Sequence, residues 1–271
     1  MTKIVLDARE LRTSSGRYVE RLLYYLQQLD GDYKYTVLLK PTDFDSWQPT
    51  NPRFQKVICP HKEFSFDEQL GLKKQLEDLR PDLVHFAFAQ QPVWYEGPAV
   101  TTFHDLTTIR FTNPDKNPII FKFKQRVYRW VIRRAAKKSR QLIVPSQYVK
   151  DDLAAFTHVS DDKITVTYES ADKITETAEP LKAVQGKRFI MYVGRPTPHK
   201  NLERLIEAFK LIQIQQPDLY LVLAGKLDAN YRRIQQKAKN EQNTNIIFTD
   251  FITDGQLRWL YENTAAYVFP S

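Results

Sequence analysis

The chain has 271 residues, 42% of them apolar and 27% charged, with a formal net charge of +8; this balance excludes a disordered chain and leaves room for two ordinary domains. Its lone cysteine, Cys59, excludes an internal disulfide and fits a reducing compartment. The opening MTKIVLDARE puts Asp7 and Arg9 where a signal peptide needs an apolar run, and no stretch approaches the ~18 apolar residues of a spanning helix, so a cytoplasmic protein is expected.

Lys3 to Leu6 reads as a short apolar strand ending at Asp7. Val19, Leu22, Leu23, Leu26 and Leu29 then share one face of a helix that Arg17 opens. Between the two lies RELRTSSG, a loop at the carboxyl end of a strand, which is the edge where open parallel sheets bind ligands. Tyr35 to Leu39 and Lys56 to Cys59 are further strands. The loop joining them holds Asp43-Phe44-Asp45, which reads as an ordinary turn or as two carboxylates at metal-binding spacing. There is no metal-ligating cluster of Cys and His, and no metal is expected.

Asp67 to Leu79 is a helix stopped by Arg80-Pro81, and Asp82 to Phe88 is a strand buried on both faces with His85 packed in its middle. Ala99 to Phe103 is another strand, delivering His104 and Asp105 at its carboxyl end. Asp105 can cap the following turn, with His104 merely exposed, or the two can act as a polar pair.

From Phe121 to Arg140, FKFKQRVYRWVIRRAAKKSR holds nine Lys or Arg and no acid. Removing those nine from the chain's 40 cations leaves 31 against 32 anions, so the whole excess sits here. A helix from Asn117 to Lys138 carries Ile120, Phe123, Val127, Trp130, Val131 and Ala135 on an apolar side. Lys122, Arg126, Arg129, Arg133 and Lys137 lie largely elsewhere. A solvated face and an interfacial helix drawn to an anionic membrane both fit, each cation contributing about 1 kcal/mol near such a surface. No nucleic-acid motif or stacking platform accompanies the charge, so nucleic acid is not an expected partner.

Gln141 to Val144 leads into Pro145-Ser146, where Ser146 caps a helix running to Phe156. Lys163 to Thr167 is a last strand of the first half, followed by Tyr168 to Asp172 (YESAD) and a polar, weakly patterned stretch up to Gly186. Phe189 to Val193 opens the second half. Gly194 turns the chain, Arg195 and Lys200 follow in the loop, and Asn201 is placed to cap a helix whose Leu202, Leu205, Ile206, Phe209 and Ile212 share a face. A helix N-terminus with a guanidinium and an ammonium beside it suits an anion, and a diphosphate better than one phosphate. Solvated loop charges are the plainer alternative. Leu219 to Ala224 runs into Gly225-Lys226. Further helices and strands then alternate through Thr249-Asp250-Phe251 to Pro270-Ser271, as a doubly wound sheet requires.

The segment YVGRPTPHKNLERLIEAF, with ARELRTSSGRYVERLL, HDL and VPS, resembles the family-4, retaining, GT-B-fold glycosyltransferases over nearly the whole chain. The resemblance implies an α/β fold of two Rossmann-like doubly wound domains. These would be residues 1–172 on the acceptor side, a linker over 173–185, and a partial nucleotide-sugar domain over 186–271. It further implies His104 as the catalytic residue near the donor sugar, and Arg195, Lys200, Gly194 and Gly16 as ligands of the donor diphosphate. Arg17, Asp105, Lys226 and Phe251 are implied as contacts to nucleotide or acceptor. No cofactor is implied beyond a UDP- or GDP-type nucleotide-diphosphate sugar as substrate, and the partner is a glycan or lipid-linked acceptor. A related sugar-nucleotide epimerase, a phosphorylase or a non-catalytic membrane- or polyanion-binding chain remain the alternatives. Relatives read NGVD where this chain has YESAD. They also continue after "PS" into a glycine-rich stretch with two glutamates, so a fragment lacking those groups is expected.

Overall fold

The computed structural model describes residues 1–13, 16–110, 118–240 and 243–271, and no side chain of 118–120. Two units separate by their internal contacts, Met1–Ser170 and Ala171–Ser271. In the first, the strands are β1 (Thr2–Asp7), β2 (Tyr33–Leu39), β3 (Phe54–Ile58), β4 (Leu83–Phe86), β5 (Ala99–Thr102), β6 (Gln141–Val144) and β7 (Ile164–Val166). Its helices are α1 (Gly16–Leu26), α2 (Lys73–Leu79), α3 (Thr107–Arg110), α4 (Pro118–Lys138) and α5 (Gln147–Thr157). The sheet order is β3-β2-β1-β4-β5-β6-β7, every pairing parallel.

The near-continuous apolar strands follow from burial on both faces. Along β2, Val37 and Leu39 point to the side where α1 buries Val19 and Leu23, whereas Leu38 points to the side where α2 buries Leu76. Ser146 caps α5 through its hydroxyl, which accepts from the Val149 amide. The chain winds outward through β1, β2 and β3 and then resumes on the other side of β1 with β4. The carboxyl ends of β1 and β4 therefore flank a topological switch point.

Ala171–Ser271 repeats the plan with β8 (Arg188–Val193), α6 (Leu202–Gln215), β9 (Leu219–Ala224), α7 (Ala229–Asn240), β10 (Ile246–Phe248), α8 (Asp254–Asn263) and β11 (Ala266–Tyr267). The parallel order β10-β9-β8-β11 puts its switch point between β8 and β11. Residues read as a linker lie on this unit: the Glu179 amide donates to Gly255 O at 3.0 Å, Arg258 donates to Glu176 O at 2.9 Å, and Val184 is fully buried. The side chain of Thr253 caps α8 in a capping box with Gln256.

Three sequence expectations change. Asn201 does not cap α6 through its side chain; it adopts a left-handed conformation (φ 56°) that ends a 3-10 turn over Pro198–Lys200. Leu29 lies beyond α1 and is exposed. On α4, Val131, Ile132, Ala135 and Ala136 enter the core, whereas Phe123, Val127 and Trp130 are 70%, 46% and 50% exposed. The apolar positions cover too wide an arc of this helix for one sheet face to receive them all. Asn117, and the side chain of Ile120, lie outside the described residues. Among the described residues no helix is long and apolar enough to cross a membrane.

Candidate functional site

In the second unit the candidate groups gather at the carboxyl edge of the sheet. Val193 and Ala224 are paired at the ends of β8 and β9, so Gly194 and Gly225 leave the sheet side by side. Both have left-handed backbone angles, φ 148° and 153°, and a Cβ on Gly225 would lie 2.4 Å from Gly194 O. Only glycine fits there. The buried Tyr231 hydroxyl clamps the turn by donating to Gly194 O at 3.0 Å. Burial pushes that phenol above its ordinary range, keeping it a donor. Asp250 closes the same edge by accepting from the Leu227 amide at 2.9 Å. Its carboxyl is held below the usual range, first by that amide and then by the Phe251 amide.

Arg195 is exposed, and its carbonyl accepts from the Tyr192 hydroxyl at 3.1 Å. Lys200 ends the 3-10 turn, with its ammonium 4.5 Å from the centre of the Phe269 ring, beyond the end of β11. It precedes α6 rather than lying in its first turn. Among the described residues neither cation makes an ion pair with a carboxylate, and no side chain caps α6. The amide groups of that first turn and two uncommitted cations border the β8/β11 switch point, an arrangement that can hold an anion. Lys226 and Phe251 are exposed on the neighbouring loops.

In the first unit Gly16 begins α1, and a Cβ there would lie 2.0 Å from Leu11 O. Its missing side chain lets the Leu11 carbonyl approach the start of α1. Arg17 is exposed, and Ser14 and Ser15 of the same loop lie outside the described residues. At the end of β5, His104 Nε2 is 3.0 Å from Ala87 O, and because a carbonyl only accepts, this nitrogen is the donor. Nδ1 is 3.5 Å from Glu169 Oε1. Tyr18 stands edge-on to the imidazole at 4.6 Å, and its hydroxyl meets Thr102 Oγ1 at 3.1 Å. His85 Nε2 reaches the same Thr102 oxygen at 2.9 Å. Burial, and then the proximity of His104, hold His85 down to about 4, so it is a neutral packed histidine.

Asp105 is exposed and accepts from the Thr107 amide at 2.8 Å, so it caps the following turn instead of pairing with His104. Glu169, within YESAD, takes the place beside the imidazole that sequence reasoning gave to Asp105. No residue near His104 in sequence signals it, 65 positions away. A buried network was also missed: the Arg9 guanidinium donates two hydrogen bonds to Asp7, at 2.9 and 2.8 Å, and one to Glu68 at 2.9 Å. Asp43-Phe44-Asp45 forms a turn in which Lys56 stacks 4.1 Å over Phe44 and approaches Asp45.

Comparison with known proteins places these features in a family. The description "Glycosyltransferase Family 4" matches residues 15–173, and "Glycosyl transferases group 1" matches residues 173–271. An uncharacterized glycosyltransferase of Bacillus subtilis, YqgM, is 33% identical over 85 residues, 31% of this chain and 24% of that protein. The serotype-specific mannosyltransferase WbdA of Escherichia coli is 36% identical over 87 residues, 31% of this chain and 11% of that protein. The chain therefore aligns with under a quarter of the length of these relatives. Among solved structures, Anabaena HepE in complex with UDP and glucose superposes with a TM-score of 0.63 at 16% identity, over 95% of this chain and 71% of HepE. With a family match across more than half its length and two parallel, doubly wound sheets, this chain belongs to the group 1, family 4 glycosyltransferases of GT-B fold.

Proposed function

We propose that the chain serves transfer of a sugar from a nucleotide-diphosphate donor, of UDP or GDP type, to an acceptor hydroxyl with retention of anomeric configuration. The observation that carries this reading is the β8–α6 loop, where Arg195 and Lys200 are free of carboxylate partners among the described residues and α6 starts without a side-chain cap. Negative charge grows on the diphosphate as the glycosidic bond breaks. Two cations and a set of open amides stabilise that charge more than they stabilise the intact donor, which is the condition for catalysis. Gly194 brings the backbone close to the phosphates, and Lys226 adds charge from the next loop. His104, with Nε2 fixed on Ala87 O, serves the reacting sugar through Nδ1. HepE was solved with UDP, which supports a UDP-type donor here. The acceptor is a glycan or lipid-linked glycan in cell-surface polysaccharide or glycolipid assembly. It is met on the cytoplasmic side at an anionic membrane surface through residues 121–140.

The test is calorimetric titration of UDP and GDP into the wild type and into Arg195→Ala combined with Lys200→Ala. Loss of two charge-assisted contacts weakens binding at least about tenfold. Equal affinity in both proteins removes the phosphate site, and a product in which sugar is released or rearranged without an acceptor replaces transfer with the epimerase or phosphorylase reading.

A further inference from the structure

Two fully buried tyrosines, Tyr192 and Tyr231, stand behind the loop between β8 and α6. The Tyr231 hydroxyl donates to Gly194 O at 3.0 Å, and the Tyr192 hydroxyl donates to Arg195 O at 3.1 Å. Burial raises both phenols, that of Tyr192 to about 12, so each stays a donor near neutrality. The glycine admits the second contact, because a Cβ on Gly194 would lie 2.9 Å from the Tyr192 hydroxyl oxygen. Farther along the loop, Thr197 O accepts from the Lys200 amide at 2.8 Å and Pro198 O from the Asn201 amide at 3.1 Å. These carbonyls are all engaged within the protein.

A carbonyl that points inward sends the next amide outward, because C=O and N–H lie on opposite sides of a trans peptide, and the described chain has no cis bond. β9 and β11 flank β8 on opposite sides. Gly194 O is drawn to the β9 side, against Gly225 and Tyr231, so the Arg195 N–H is turned toward β11 and the switch point. Nothing among the described residues accepts from it. The next peptide bond, into Pro196, has no N–H to offer, and Tyr192 holds its oxygen, so it presents no repelling acceptor either. A carbonyl released from its phenol would instead seek water, and an oxygen turned to the crevice repels phosphate.

We propose that Tyr231 and Tyr192 are positioning residues for diphosphate binding: they draw the Gly194 and Arg195 carbonyls inward and so present the Arg195 backbone amide as a ligand of the anion. This rests on the donor reading above, and adds to its two side-chain cations a contact made by the backbone. UDP and uridine are titrated into the full chain and into Tyr231→Phe and Tyr192→Phe. Each phenylalanine keeps the ring and deletes one hydrogen bond, so UDP binding weakens by about fivefold while uridine binding, which involves no phosphate, stays within about twofold. A loss confined to the phosphorylated ligand is not what a loosened core produces. Isotope-labelled arginine amides are also followed by NMR as inorganic pyrophosphate is added, with Arg195→Lys identifying the signal by its disappearance. Pyrophosphate shifts the Arg195 amide in the wild type and shifts it less in Tyr231→Phe. The wild-type shift decides even where a phenylalanine variant does not fold. Weaker UDP binding by Tyr231→Phe, with Arg195→Ala plus Lys200→Ala unchanged from wild type, removes the side-chain cations and leaves the amide; the reverse pattern removes this proposal and leaves the cations. Equal loss of UDP and uridine, or an Arg195 amide that pyrophosphate does not move, overturns the proposal. A wild type that takes up neither UDP nor pyrophosphate overturns it together with the donor reading.

Discussion

His104 Nδ1 lies 3.5 Å from Glu169 Oε1, although 65 positions separate the two residues, while the adjacent Asp105 is turned into a capping bond with the Thr107 amide. The carboxylate that faces the imidazole is therefore the distant one, while the Ala87 carbonyl, accepting from Nε2, holds the ring. Glu169→Gln removes the charge facing Nδ1 and lowers donor turnover by about tenfold, the equivalent of one weak charge contact, without changing UDP affinity. Asp105→Asn still caps and leaves turnover within about twofold. Kinetic comparison of the two variants decides the matter, and a larger loss at Asp105 would reverse the assignment.

The pairing of Gly194 and Gly225 makes a sharp stability prediction. Gly225→Ala forces a Cβ to within 2.4 Å of a backbone oxygen at a left-handed angle, whereas Gly186, also left-handed at φ 75°, has nothing within 4 Å of where a Cβ would go. Gly186→Ala thus carries the backbone penalty alone, about 1–3 kcal/mol, and Gly225→Ala carries that plus the clash. Urea unfolding should rank them in that order.

Where local chemistry decides conformation, the sequence was readable. The alternating faces of Val37, Leu38 and Leu39, the Ser146 cap and the glycine turn after β8 all follow from residues within a few positions of one another. The candidate site was legible to the same depth: strand ends carrying His104, Arg195 and Lys226 are where parallel sheets put ligands. What the pattern could not supply were long-range partners. Nothing near Arg9 in sequence points to Glu68, 59 positions away, and nothing near His104 points to Glu169. Periodicity likewise marks apolar positions on α4 without saying which of them the sheet can accept. At Asn201 two local preferences compete, since Asn serves both as a helix cap and as a left-handed residue, and the preceding Pro198 turn selects the second.

Cys59 offers a reporter for the first unit. Burial pushes its thiol up to about 11, against the opposing pull of Arg9, so little thiolate exists at neutral pH. Aromatic disulfide reagents should leave the native chain unmodified near neutrality and react with one thiol once urea unfolds this unit. Rapid reaction without denaturant would show that the β3 edge opens.

His85 makes stability depend on pH. Its folded value of about 4 lies below the ordinary 6.5, so between those limits the unfolded chain takes up a proton that the native chain refuses. Stability is complete above 6.5 and is lost as pH falls toward 4. The share between about pH 7 and about pH 5 is about 2 kcal/mol. Urea midpoints measured across that window should fall less steeply for His85→Gln, which keeps a polar contact to Thr102 without titrating. Parallel slopes would mean that His85 already carries its proton when folded.

The Arg9 network yields the strongest contrast, because its charges are almost wholly out of water: Arg9 is 2% exposed and Glu68 fully buried. Burial alone drives the Glu68 carboxyl above its ordinary range, and Arg9, Gln90 and the Phe64 amide pull it only part of the way back. Arg9→Met deletes the largest of those pulls and strands two carboxylates beside a thioether, a loss of about 3–5 kcal/mol. The pH dependence identifies the cause. A carboxyl whose folded value is raised binds its proton more tightly in the native chain, so the stability it contributes is present at low pH and is lost as pH rises through that value. Arg9→Met should therefore be less destabilised at about pH 5 than at about pH 8, the reverse of the His85 trend. Adding Glu68→Gln should recover much of the loss at the higher pH, since a neutral amide keeps the contacts without the charge. Equal destabilisation at both values, with no rescue by the amide, would mean that Arg9 acts through packing and not through charge.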